Sequence, residues 1–146
     1  MAGYGLPKEQ HLSVVLQNSL ELEGHNIEII NGSVSGSTSA GGLNIAEWTL
    51  SENNIDLMIL CLGANDMLRG INPKETKNNL EEIIQIAKNK NIKVIIAGMI
   101  APTSYGFAYK KSFDKIFSDL SKKHKLQLIP FLLEGVAQKP EFNLSD

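Results

Sequence analysis

Apolar residues recur in two rhythms along this chain. In the first they stand three and four positions apart. Leu12, Val15, Leu16, Leu20 and Leu22 make one such stripe. Leu80, Ile83, Ile84 and Ala87 make a second, and Phe113, Ile116, Phe117 and Leu120 a third. That spacing places each set on one side of a helix. In the second rhythm the apolar residues stand side by side. Residues 57–62 read L-M-I-L-C-L, and 92–98 read I-K-V-I-I-A-G. Such runs are too short for a helix core and do not alternate, so they read as strands buried on both faces of a parallel sheet.

Turn and cap residues divide these segments. Pro7 opens the first helix, which runs to about Leu22 and stops at Gly24. Ile27, Ile29 and Ile30 predict a short strand over 27–30. A loop of small polar residues follows, N-G-S-V-S-G-S-T-S, in which Ser37 or Thr38 caps a helix from 40 to about 51. The central strand, 55–62, stops at Gly63-Ala64-Asn65-Asp66, which predicts a loop. Asn72 and Pro73 cap and start a helix to about Asn89. Strand 92–98, a turn-rich stretch at 101–106 and a helix over 107–124 come next. Leu126, Leu128 and Ile129 form a last strand closed by Pro130, and 131–136 predict a single helical turn before a loop to Asp146.

Helices and strands therefore alternate, which predicts an α/β domain spanning 1–146, with a parallel sheet between helices. In such sheets ligands collect at the carboxyl ends of the strands. The loops 33–39 and 63–66 are the candidates. Gly36 offers a backbone N–H with no side chain over it, and Asn65 offers a side-chain amide. Donors of these kinds suit a developing oxyanion in acyl transfer. The plainer reading is a helix cap and an Asx turn.

Composition narrows the choices. The chain is 42% hydrophobic and 21% charged, with a net charge of -2 and no basic cluster. That fits an ordinary water-soluble globular protein and gives no reason to expect a nucleic-acid partner. No apolar run approaches the roughly 20 residues of a membrane span, so no stable membrane insertion is expected. The start has neither the basic nor the apolar region of a signal peptide. Cys61 is the lone cysteine and lies within the strand pattern, which predicts a packed thiol. His11, His25 and His124 fit surface or capping positions, and no metal-ligand spacing occurs, so neither metal nor cofactor is expected. A nucleotide-binding loop is disfavoured, because 33–39 is not G-x-G-x-x-G and does not follow an opening strand.

The segments N-G-S-V-S-G-S-T-S-A-G-G and L-G-A-N-D-M-L-R-G resemble blocks II and III of the SGNH (GDSL) hydrolases. The branch most similar is that of the bacterial thioesterase-I, arylesterase and lysophospholipase-like enzymes. A-G-Y-G-L-P at 2–7, I-K-V-I-I-A-G-M at 92–99, A-P-T-S-Y-G at 101–106 and the closing N-L-S-D extend the likeness over 2–146. It implies a flavodoxin-like three-layer α/β/α sandwich with strand order 2-1-3-4-5. It also implies that the first strand and the last helix are missing, leaving a slot between 27–30 and 55–62.

The same resemblance implies hydrolysis of small acyl esters or thioesters by a Ser-His-Asp triad, without a cofactor. Gly36 and Asn65 would be oxyanion donors, Asp146 would orient the His, and Asp66 would be a structural loop residue. Met67, Leu68 and Arg69 would begin a mobile loop that closes over substrate, and Pro102 and Tyr105 would line the acyl pocket. Ser37 stands where this branch usually has Asp. The family's G-D-S-L block precedes the A-G-Y-G-L-P segment, and the His of its D-x-x-H block falls three residues beyond Asp146. None of Ser13, Ser19, Ser33, Ser35, Ser37 or Ser39 sits on a strand-to-helix elbow. The expectation is a chain nearly inactive by itself. The alternative is a non-catalytic binding module on the same fold. Relatives are often exported, and a signal peptide would lie upstream of Met1. No oligomeric state is implied.

Overall fold

The computed structural model describes residues 2–51, 54–137 and 139. The chain divides into two compact units, Met1–Ser37 and Thr38–Asp146.

The first unit contains a short 3-10 turn, Lys8–Gln10, and helix α1, Leu12–Leu22. Pro7 caps the turn instead of opening the helix, and His11 is extended between the two. Gly24 ends α1 as expected, with the Gly24 N–H donating to Glu21 O at 3.0 Å and the His25 N–H to Leu20 O at 3.0 Å. The apolar stripe is present, yet no residue of α1 is buried. The strand expected at 27–30 does not form, and Ile30 is 61% exposed. An extended segment becomes a strand only where a neighbour takes up its N–H and C=O groups. Here the Ile29 N–H goes instead to the Gln17 side chain, at 2.9 Å.

The second unit is built on a parallel sheet of three strands in the order β1 (Leu57–Leu60), β2 (Lys93–Ala97), β3 (Gln127–Ile129). Its helices are α2 (Ser39–Thr49), the short α3 (Ala64–Leu68), α4 (Pro73–Asn89) and α5 (Phe107–His124). Register aligns Met58 with Val94 and Leu60 with Ile96 and Leu128. Leu60, Val94 and Ile96 on this face are buried in one core with Leu80, Ile83 and Ile84 of α4 and Phe113, Ile116, Phe117 and Leu120 of α5. The stripes predicted for α4 and α5 therefore point inward. Lys77–Asp119 (2.8 Å) and Glu81–His124 (2.8 Å) strap α4 to α5 at their outer edges. His124 thus pairs across helices, where a capping or surface role was expected.

The caps explain the boundaries. Thr38 Oγ1 accepts from the Gly41 N–H at 3.2 Å, and Asn72 Oδ1 accepts from the Lys74 N–H at 3.0 Å, with Pro73 at the first helical position. Lys125 takes the left-handed conformation after α5, and the Leu126 N–H closes that helix on Ser121 O at 2.9 Å. Residues 132–137 form turns and not a helix.

One expectation for β1 needs correction. Its second face, Leu57 and Ile59, is 46% and 43% exposed, so the strand is buried on one side only. An unbroken apolar run records a strand suited to burial on two sides, while the core of this unit takes up only one. Among the described residues no helix is long and apolar enough to cross a membrane.

Candidate functional site

The carboxyl end of β1 carries the most organised polar cluster of the second unit. Gly63 caps α3 with φ +122°, a conformation that side-chain-bearing residues rarely adopt. A Cβ there would also lie 3.4 Å from Phe117 and 3.5 Å from Phe113. The sharp turn lets helix begin at once: the Met67 N–H donates to Gly63 O at 2.9 Å. The expected loop over 63–66 is therefore confined to Gly63, and Asn65 and Asp66 occupy the first turn of α3.

Asp66 is fully buried and ties three helices together. Its Oδ2 accepts from the Ser39 N–H at 2.7 Å, its Oδ1 accepts the Ser39 hydroxyl in a short bond, and the Thr76 hydroxyl adds a contact of 3.1 Å. Asn79 Nδ2 donates to Ser39 Oγ at 2.9 Å. Ser39 is the first residue of α2 and Thr76 lies in the opening turn of α4. The carboxylate thus meets an N–H that α2 leaves unpaired, at the positive end of that helix. Bonds of this kind to a buried carboxylate are stronger than neutral ones. The result is a rigid base directly beside Asn65, which is half-buried.

The segment that leaves α3 is folded back on it. The Gly70 N–H donates to Met67 O at 3.0 Å and the Ile71 N–H to Asp66 O at 2.9 Å. Met67 packs against the core, whereas Leu68 is exposed, as is Arg69. Opposite this segment, Tyr105 reaches Leu68 O with its hydroxyl at 3.4 Å. Pro102 and Tyr105 belong to an exposed stretch around the 3-10 turn Thr103–Tyr105. That stretch is anchored at Ala101. The Ala101 N–H donates to Asp114 Oδ1 at 2.8 Å, Lys110 Nζ donates to Ala101 O at 2.7 Å, and Lys110 pairs with Asp114 at 2.7 Å.

Of the residues singled out from sequence, Asn65, Met67, Leu68, Arg69, Pro102 and Tyr105 all lie in the second unit, and a hydroxyl contact joins Leu68 to Tyr105. Gly36 lies in the first unit, in the turn closed by the Ser37 N–H on Val34 O at 3.2 Å, with φ +73°. Asp146 lies outside the described residues. Sequence reasoning missed Ser39, Thr76, Asn79 and Tyr109. The hydroxyls of Ser39 and Thr76, each in the first turn of a helix, were the available signal. Burial pushes the Cys61 thiol above its ordinary range, as suits a packed thiol. No group of three or more metal-ligating side chains occurs among the described residues.

Comparison with known proteins gives these features a setting. A family model described as "GDSL-like Lipase/Acylhydrolase family" matches residues 1–146. The chain is 37% identical over 145 residues to an arylesterase of Vibrio mimicus, covering 99% of this chain and 72% of the relative. It is 37% identical over 135 residues to the esterase TesA of Pseudomonas aeruginosa, covering 92% of this chain and 67% of that protein. The crystal structure of AlinE4, an SGNH-hydrolase family esterase, superposes with a TM-score of 0.95 at 39% identity, over 99% of this chain and 78% of that one.

Proposed function

The chain belongs to the GDSL-like lipase/acylhydrolase family, and on that footing we propose that it carries the oxyanion-binding part of a hydrolase for small acyl esters or thioesters. The observation that supports this reading is Asn65 on the first turn of α3, at the carboxyl end of β1, braced by the buried Asp66. A tetrahedral intermediate places negative charge on the former carbonyl oxygen. Donors fixed before the reaction stabilise that charge without reorganising. Asn65 contributes its side-chain amide, and the Gly36 N–H is the further donor that the family resemblance implies.

In the full reaction a serine hydroxyl attacks the acyl carbonyl while a histidine takes its proton. The tetrahedral intermediate collapses, the histidine protonates the leaving alcohol or thiol, and water repeats the cycle on the acyl-enzyme. Asp146 orients the histidine in this scheme. Met67, Leu68 and Arg69 bound the substrate on one side and Pro102 and Tyr105 on the other. No serine or histidine among the 146 residues is assigned to the two remaining roles. Losing either costs roughly 10⁶ in rate, so the chain by itself is expected to be nearly inactive.

A product carboxylate tests the oxyanion assignment directly. Butanoate is expected to shift the Asn65 side-chain amide resonances, and an unmoved Asn65 at saturating butanoate would remove the reading. Turnover of p-nitrophenyl acetate by the 146-residue chain, lost in Asn65→Ala, would show that the nucleophile lies within it and overturn the expected inactivity.

A further inference from the structure

Two tyrosines are placed in a way that lining a pocket does not explain. Tyr109 donates its hydroxyl to Ile71 O at 3.0 Å, and Tyr105 donates to Leu68 O at 3.4 Å. Both acceptors are main-chain carbonyls, one on the last residue of α3 and the other three residues on, in the segment that leaves it. They come from separate supports, since Tyr105 ends the 3-10 turn and Tyr109 lies in the first turn of α5.

The rings are continuous with the core. Tyr105 and Tyr109 lie 5.5 Å apart, Tyr109 stacks on Phe113 at 5.9 Å, and Phe113 meets Phe117 edge-on at 5.7 Å. Phe113 and Phe117 are buried, and the same two rings face Gly63. One aromatic row therefore supports the turn that enters α3 and, through its outer members, holds the segment that leaves it. Tyr109 is half-buried. Burial, with the Asp66 charge and Tyr105 beside it, pushes its phenol above the ordinary range, so it remains a donor across neutral pH. Tyr105 is more exposed and its bond is longer, so it is the weaker hold. Gly70, at φ +64°, lies between the two held carbonyls.

We propose that Tyr109 and Tyr105 form a two-point latch on residues 68–71. In it Tyr109 is a fixed peg that positions the α3 turn bearing Asn65. Tyr105 is a releasable catch whose opening lets the Leu68 side of the site move aside for longer acyl chains. Both are positioning residues. The catch rests on the acyl-hydrolase reading; the peg is a statement about the structure alone.

Tyrosine-to-phenylalanine changes keep the rings and remove only the hydroxyls. In the 146-residue chain, Tyr109→Phe is expected to speed amide hydrogen exchange at residues 69–71 by about tenfold, and Tyr105→Phe by about threefold, the range one modest hydrogen bond supplies. Exchange at the core amides of β2 and α4 should not change. Unchanged exchange at 69–71 in Tyr109→Phe, or equal acceleration throughout the core, would overturn the latch. Titration with butanoate and octanoate, followed at the Asn65 side chain, tests the catch. Tyr105→Phe is expected to change the octanoate-to-butanoate affinity ratio by about threefold, and Tyr109→Phe to weaken both alike. An unchanged ratio overturns the catch. If neither carboxylate reaches Asn65 in the unaltered chain, the acyl-hydrolase reading and the catch fail together, and hydrogen exchange still decides the peg.

Discussion

Helices α1 and α5 carry the same kind of apolar stripe, and the two are treated differently by the fold. In α5, Phe113, Ile116, Phe117 and Leu120 are all buried against the sheet and α4. In α1 nothing is buried, and Leu22 is 90% exposed. The periodicity of a stripe selects helix over strand, because it sets which residues share a side. It does not supply the surface that the side rests on. Helix α5 finds one in β2, β3 and α4, and two side-chain straps, Lys77–Asp119 and Glu81–His124, fix its outer edge. The strands show the same contrast: Ile96 of β2 is fully buried, whereas Ile59 of β1 is not.

The sharpest way to break this comparison is to cut one residue from each helix. Phe113→Ala should cost about 3–5 kcal/mol, since it empties a filled core and interrupts the aromatic row. Leu22→Ala should stay within about 0.5 kcal/mol. Urea midpoints of the two variants decide it, and equal losses would mean that α1 is covered after all.

Next in size is Asp66→Ala. It strands the Ser39 N–H and the Ser39 and Thr76 hydroxyls in the interior, for about 2–3 kcal/mol. The same denaturation series reads it, and a loss below that of Leu22→Ala would show that the network is not structural.

The smallest effect concerns the straps. Lys123 and His124 hydrogen-bond Glu81 and hold its carboxyl below the usual Glu range. A carboxyl depressed in the folded state adds stability above its unfolded pKa and loses it as pH falls through its folded one. Stability between neutral pH and about pH 3 should therefore fall less in Glu81→Gln than in the unaltered chain, by about 1 kcal/mol or less for a contact that water still reaches. Identical pH profiles would mean that the strap contributes nothing.

Much of the second unit was legible beforehand. Thr38, Asn72 and Pro73 mark their helices by local hydrogen bonding and a fixed φ, which need no distant partner. The stripes of α4 and α5 and the runs of β1 and β2 were equally plain, and the likeness to a hydrolase family rested on contiguous blocks of sequence. Asn65 was singled out because it sits in such a block.

What sequence did not reveal depends on partners far along the chain. Ile27, Ile29 and Ile30 have the composition of a strand, but a ladder needs a second backbone, and among the described residues none pairs there. Asp66 read as a turn residue until Ser39, 27 positions earlier, and Thr76, 10 positions later, closed around it. Nothing in the sequence singled out Tyr109, whose hydroxyl partner, Ile71 O, lies 38 positions away. The sequence by itself determined α2, α4, α5 and the three paired strands of the second unit, the cap of α4 and the family, because these follow from short-range sterics, hydrogen bonding and contiguous motifs. Only the tertiary structure decided which apolar faces are covered and which polar groups are paired, because burial and pairing require two surfaces that the chain brings together from distant positions.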